Sequence, residues 1–244
     1  MKMITVAGPP SSGKTSVILR LAESLKQGAV SREGNRTGSR IEHQADFRLG
    51  VVKFDCLTSF DKRKYEDAGI PVRVGLAGKF CPDHFFVNNV EGGVAWGLKE
   101  ELDVLATESA GLCNRCSPHI TGITSICVVD ALAGVHTPRK IGPMLKFADI
   151  VVITKGDIVS QAEREVYSWS VRQANANAQI LSVNGITGQG AFMLAKKVME
   201  ARDVVSLQDS RLRFTTPAAA CAYCTGEMRI GEEHQMGMMR KMDW

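Results

Sequence analysis

The residues with the clearest chemical signature are Gly8-Pro9-Pro10-Ser11-Ser12-Gly13-Lys14-Thr15. They fit G-x-x-x-x-G-K-[ST], the loop whose backbone N–H groups wrap nucleotide phosphates. Gly8 and Gly13 let the chain curl so that those groups converge. A helix beginning at Lys14 adds its positive end, with Ser16 in its first turn. Lys14 would neutralise the β/γ-phosphates, and the Thr15 hydroxyl would reach Mg²⁺. The apolar run Met3–Ala7 before the loop and the spacing Val17-Ile18-Leu19-Leu21-Ala22-Leu25 after it supply the strand and helix this motif needs.

Other chemistry-bearing residues follow predicted strands. Asp55, after Leu49–Phe54, is placed to hold Mg²⁺ or orient a water. Glu108-Ser109-Ala110-Gly111 follows Leu102–Thr107. There a carboxylate reaches Mg²⁺ through water and Gly111 offers its N–H to a γ-phosphate. Thr154-Lys155-Gly156-Asp157 fits [NT]-K-x-D. An Asp carboxylate accepts both N–H groups of the guanine edge, and a Lys stem covers the base plane. Val183 and Asn184 belong to a loop that closes on the base. Nucleotide contacts are thus expected from Gly8 through Ser16, and from Gly111, Thr154, Lys155, Asp157, Val183 and Asn184. Lys14, Asp55 and Glu108 are the expected catalytic groups, with Thr15, Asp55 and Glu108 holding Mg²⁺.

The chain has seven cysteines. Cys81-Pro82-Asp83-His84 and Cys113-Asn114-Arg115-Cys116 are soft-ligand clusters suited to Zn²⁺ or Ni²⁺. Cys113 and Cys116 lie just beyond Gly111, so a loop that senses phosphate would also move metal ligands. Cys221-Ala222-Tyr223-Cys224 is a second CxxC, and the two pairs together could hold zinc or an iron–sulfur cluster. The expected metal set is therefore Cys81, His84, Cys113, Cys116, Cys221 and Cys224. His119 is an open candidate. Cys127, inside an apolar strand, reads as a packing residue.

The elements that must position these loops are legible as short apolar runs separated by helical patterns. Strands are expected at Met3–Ala7, Leu49–Phe54, Val72–Leu76, Leu102–Thr107, Ile123–Val129, Ile150–Thr154 and Gln179–Val183. Helices are expected at Lys14–Gln27, Lys62–Ala68, around Phe86–Lys99, and at Arg139–Phe147, Gln161–Asn175 and Ala191–Glu200. The alternation predicts an α/β, three-layer P-loop NTPase with a mostly parallel sheet, whose loops gather at the strands' carboxyl ends. Residues 1–205 form that domain, with a polar, flexible insertion at 28–47, and 206–244 form a short Cys-containing extension. A net charge of +4, spread along the chain, argues against nucleic acid. No apolar run has membrane-spanning length and no signal peptide is evident, so a cytoplasmic protein is expected.

With those motifs in hand, the chain resembles the metal-centre assembly GTPases related to the urease-accessory and hydrogenase nickel-insertion GTPases. These are dimerising P-loop enzymes. The resemblance runs through Gly8–Thr15, Asp55–Asp61, Cys81-Pro82-Asp83-His84, Glu108–Gly111, Ser117-Pro118, Val128-Val129-Asp130, Pro138–Pro143, Ala148-Asp149, Thr154–Asp157 and Thr187–Gly190. It implies GTP and Mg²⁺ as cofactors, slow GTP hydrolysis, and a nucleotide-dependent homodimer. It also implies a metal delivered to a client metalloenzyme or co-chaperone. The chain departs from the pattern in Asp83, inserted between Pro and His, and in its two CxxC pairs. Alternative readings are a metal-free regulatory or cofactor-loading GTPase, and a nucleotide-binding scaffold with a zinc-stabilised tail.

Overall fold

The computed structural model describes residues 1–33, 47–113, 115–215, 226–234, 236 and 240–244. Seven strands form one sheet: β1 (Lys2–Ala7), β2 (Leu49–Asp55), β3 (Val72–Leu76), β4 (Val104–Ser109), β5 (Thr124–Asp130), β6 (Ile150–Thr154) and β7 (Gln179–Ser182). Their order is β3-β2-β4-β1-β5-β6-β7, and every neighbouring pair is parallel. The helices are α1 (Lys14–Glu33), α2 (Lys62–Asp67), α3 (Pro82–Lys99), α4 (Pro138–Ile141), α5 (Pro143–Lys146), α6 (Gln161–Ala174) and α7 (Ala191–Met199).

Alternation along each strand decides which helices cover which face. Ile4 and Val6 of β1, Val51 of β2, Val104 and Ala106 of β4, and Val152 of β6 pack with Val17, Ile18 and Leu21 of α1 and Leu194 and Val198 of α7. On the other face Met3, Val52, Phe54 and Leu105 meet Phe86, Val90 and Val94 of α3. Beside them Cys127, Val129, Val151 and Ile153 meet Leu145, Tyr167 and Val171. Both faces of the central strands are buried, which is why these strands read as continuous apolar runs.

Four of the boundaries that differ from the sequence expectation do so for a clear local reason. β4 runs two residues further than Thr107, because its parallel partners carry the ladder on: Val6 pairs with Glu108 and Phe54 with Ser109. Polar Glu108 and Ser109 are thereby buried strand residues. Helix α1 continues past Gln27 to Glu33. Gly28 ends a helix only in the left-handed conformation, and it is not among the positive-φ glycines. So residues 28–33 of the expected insertion are helical, and 34–46 lie outside the described residues. The single helix expected at Arg139–Phe147 is split at Gly142, φ 72°, after which Pro143 opens α5. Finally, α3 begins at Pro82 rather than Phe86, with Cys81 in extended conformation at its N-cap.

The segment after α7 packs on the same core. Leu207, Leu212 and Ile230 are buried against the α3 side of the sheet. The Arg213 guanidinium binds both Asp149 oxygens, each at 2.8 Å, and the carbonyls of Ile120, Ile123 and Phe147. Asn89 of α3 accepts from Met242 N at 2.7 Å and donates to the Arg240 carbonyl at 2.9 Å, fixing the C-terminal strap. Cys221 and Cys224 lie outside the described residues.

Candidate functional site

The loop between β1 and α1 curls tightly. Gly8 has φ +147°, and a Cβ there would lie 2.1 Å from the Val128 carbonyl oxygen. Lys14 Nζ donates to the carbonyls of Gly8 and Pro9, both at 2.9 Å. Burial, more than any neighbouring charge, pulls its pKa below the ordinary lysine value. Gly111 presses on the same loop: a Cβ on it would sit 1.7 Å from the Gly8 carbonyl oxygen, and its φ is +72°. The segment after β4 therefore touches the phosphate loop directly, and only glycine permits that approach.

A cavity of about 620 Å³ opens above the loop, lined among others by Lys14, Thr15, Lys53, Asp55, Glu108 and Lys155. Glu108 is its hub. Its Oε1 accepts from the Thr15 hydroxyl at 2.8 Å and from Lys53 Nζ at 2.9 Å, and its Oε2 accepts from Tyr65 OH at 2.6 Å. Lys53 also faces Asp55 at 3.6 Å and Asp61 at 3.7 Å. The sequence reading missed Lys53, Tyr65 and Asp61. A signal for Lys53 existed, because lysine in a strand buried on both faces needs anionic partners. Lys53 and Glu108 stand opposite each other in the β2–β4 register.

A second cavity, about 520 Å³, holds Asp157 together with Gly156, Arg164, Ser182, Asn184 and Gln189. Between the cavities Lys155, at φ 56°, spans from the Ser11 carbonyl to the Asp130 carboxylate. Thr154 donates its hydroxyl proton to the Ser12 carbonyl at 2.7 Å, tying the loop after β6 to the phosphate loop. Asn184 Oδ1 accepts from the N–H groups of Ile186 and Thr187, which shapes the closing loop. Val183 N anchors that loop to Ile153 at 3.0 Å.

The cysteine cluster adjoins the phosphate cavity. Ligand atoms of Cys81, Asp83 and Cys116 lie within 4.8 Å of one another. Cys113 Sγ stands 3.4 Å from Cys116 Sγ. The Cys116 thiol donates to Cys81, and the N–H groups of His84 and Asp83 add to it, so Cys81 is held well below the usual thiol pKa although burial opposes this. Cys116 moves the other way and keeps its proton, through that same bond and its burial. Asp83 is buried and its Oδ1 has no hydrogen-bond partner among the described residues. Burial, then the charge at Cys81, push its pKa up to about 7. A buried carboxyl with an open oxygen beside a thiolate is a donor set that fits a borderline or soft divalent metal.

Among the sequence candidates, Cys81, Cys113 and Cys116 come together here. His84, buried on the same helical turn, is not in the close group, and Asp83, read from the sequence as a departure, is. His119 is fully buried. Its Nδ1 meets the Thr5 hydroxyl at 3.0 Å and its Nε2 the Met144 carbonyl at 2.8 Å, so both ring nitrogens serve the core. Burial pulls its pKa down to about 4. Cys127 is likewise buried, its thiol pushed up to about 12 by desolvation. Cys56, between Asp55 and the cluster, has its pKa raised by burial and by the charges of Cys81, Asp55 and Asp83.

Comparison with known proteins agrees with this architecture. An uncharacterized protein of Methanocaldococcus jannaschii is 44% identical over 243 residues, covering 100% of this chain and 97% of its own length. The hydrogenase maturation factor HypB of Archaeoglobus fulgidus superposes with a TM-score of 0.56 at 20% identity, over 82% of this chain and 89% of its own. HypB of Helicobacter pylori, solved in complex with nickel, superposes with a TM-score of 0.59 at 18% identity, over 82% of this chain and 86% of its own. At that identity the likeness is one of fold. No helix among the described residues is long and apolar enough to cross a membrane. Residues 2–182 match the nucleotide-binding domain of CobW, HypB and UreG, so the chain belongs to the CobW/HypB/UreG family.

Proposed function

We propose that the protein is a GTP-hydrolysing metallochaperone in which nucleotide state controls a metal held by Cys81, Asp83 and Cys116, with Cys113 alongside. The observation that carries this reading is the position of the cluster. Cys113 and Cys116 follow the glycine that touches the phosphate loop, and Cys56 follows Asp55. Movement of either loop on binding or losing a γ-phosphate would shift thiolate ligands, a coupling of known physical type. The cargo would be a borderline or soft divalent ion such as Zn²⁺ or Ni²⁺.

On this reading Lys14 turns from its own loop carbonyls to the phosphates, replacing two neutral acceptors by charged ones. Asp55 orients the attacking water. The oxygens of Thr15, Asp55 and Glu108 are hard donors that fit Mg²⁺, which when bound neutralises charge building on the phosphates. Tyr65 and Lys53 hold Glu108 in place. Leu57 and Leu112, 71% and 58% exposed, line the phosphate cavity and favour a second copy closing over the nucleotide. A client metalloenzyme or co-chaperone would then receive the metal.

Two measurements test this reading. Equilibrium dialysis of Zn²⁺ and Ni²⁺ with GTP, with GDP and without nucleotide should give affinities that differ between states by about tenfold or more, a coupling in the usual allosteric range. Equal affinity in all three overturns the coupling. For the base, Asp157→Asn should weaken GTP binding by about tenfold or more and improve xanthosine triphosphate binding, since one bidentate acceptor becomes a donor–acceptor pair. Unchanged preference in a fluorescent-nucleotide competition assay would remove Asp157 from guanine recognition.

A further inference from the structure

Lys53 is a charged side chain, 5% exposed, among the proposed magnesium ligands Asp55 and Glu108. Its Nζ touches Glu108 Oε1 at 2.9 Å, the same oxygen that the Thr15 hydroxyl reaches at 2.8 Å. Asp55 at 3.6 Å and Asp61 at 3.7 Å complete a shell of carboxylates around it. Three carboxylates within 3.7 Å of Nζ favour its ammonium form. Without that charge, Glu108 would face Asp55 and Asp61 with only Lys14 nearby and Lys64, already paired to Asp61 at 2.6 Å, to offset their repulsion. The oxygens that surround Nζ are the hard donors a divalent cation selects.

We propose that the Lys53 ammonium holds the place of the divalent cation in the nucleotide-free protein. The proposal rests on the phosphate-loop reading but not on the identity of the base or of the cargo metal. The two cations repel at this distance, so Mg²⁺ entering with a nucleotide must push Nζ off Glu108. Metal entry is therefore a competition against a tethered ammonium. Lys53 is a positioning residue: it keeps Glu108 and Thr15 aligned while nucleotide exchanges, and it stops the carboxylates from capturing a stray ion.

The test uses Mn²⁺ as the probe, on the full chain freed of nucleotide, with electron paramagnetic resonance reporting bound metal. The wild type should bind Mn²⁺ only in the millimolar range. Lys53→Met should gain a site tighter by about tenfold or more, because the competing charge is gone and the carboxylates remain. Lys53→Arg, which keeps the charge, should resemble the wild type. Equal Mn²⁺ binding by wild type and Lys53→Met overturns the proposal. So does a micromolar, Mg²⁺-displaceable site in the wild type, which needs no variant to fold. None of these readings involves GTP, so a failure of guanine recognition would leave them intact.

Discussion

Glu108→Ala is expected to lower the free energy of unfolding by about 3–5 kcal/mol, the cost of leaving a buried charge without its partner. The removed carboxylate accepts from Thr15, Lys53 and Tyr65, and it is 1% exposed. Lys53 would retain only the longer contacts to Asp55 and Asp61, and the Tyr65 hydroxyl would lose its acceptor inside the core. Glu108→Gln keeps the shape and one acceptor oxygen, so its loss should be smaller. Urea unfolding of nucleotide-free protein separates the two. An alanine variant as stable as the wild type would mean that water or the neighbouring carboxylates already satisfy Lys53. Because these contacts tie β4 to β2, to α1 and to α2, nucleotide affinity should fall together with stability.

Asp83→Asn should do the reverse to stability while damaging function. In the folded protein the Asp83 pKa is raised from 3.8 to about 7. A raised pKa means that the folded state binds this proton more tightly than the unfolded state. The stabilisation is therefore complete below the ordinary value and is lost as pH rises towards and past 7. Above that, the charged carboxylate is a burden on the fold, on the order of 4 kcal/mol by the usual conversion of pKa shift to free energy. In the metal-free, chelator-treated protein, the asparagine variant's advantage over the wild type should be larger at pH 8 than at pH 5. Its affinity for Zn²⁺ or Ni²⁺ should drop by about tenfold or more, as expected for loss of a charged ligand. Thermal melts at the two pH values, with metal titrations alongside, give both results. A variant less stable at pH 8 would show that the carboxylate is satisfied in the fold. The expected opposition is what a ligand kept for binding rather than folding should display.

The strands and the nucleotide loops were readable because their signals are local. An apolar run such as Ile150–Thr154 is a strand wherever it sits, and Gly8–Thr15 carries its own turn geometry. Glu108 and Ser109 were read as loop because polarity usually marks a strand's end. Here the ladders to Val6 and Phe54 continue, and Thr15, Lys53 and Tyr65 satisfy the Glu108 carboxylate. The first helix is expected to end at Gln27, where a polar, Gly-rich insertion begins, but a glycine there stops a helix only in the left-handed conformation, which Gly28 lacks.

The metal candidates divide along the same line. Cys81, Cys113 and Cys116 were identified as ligand types from their spacing, but nothing local relates Cys81 to Cys116. Their meeting depends on β3 and α3 bringing one loop beside the segment that follows β4. The same packing turns Asp83 into the cluster and gives His119 to the core.

By itself the sequence determined the parallel α/β sheet, the phosphate loop and the residue types available at each strand end. Apolar periodicity, glycine placement and donor chemistry act over a few neighbouring residues. Only the tertiary structure decided which of those side chains share a charge environment. Lys53 with Glu108, and Cys81 with Asp83 and Cys116, are defined by strand order and helix docking. Electrostatic interaction depends on separation through space, and the low dielectric of the interior makes a few ångströms decisive.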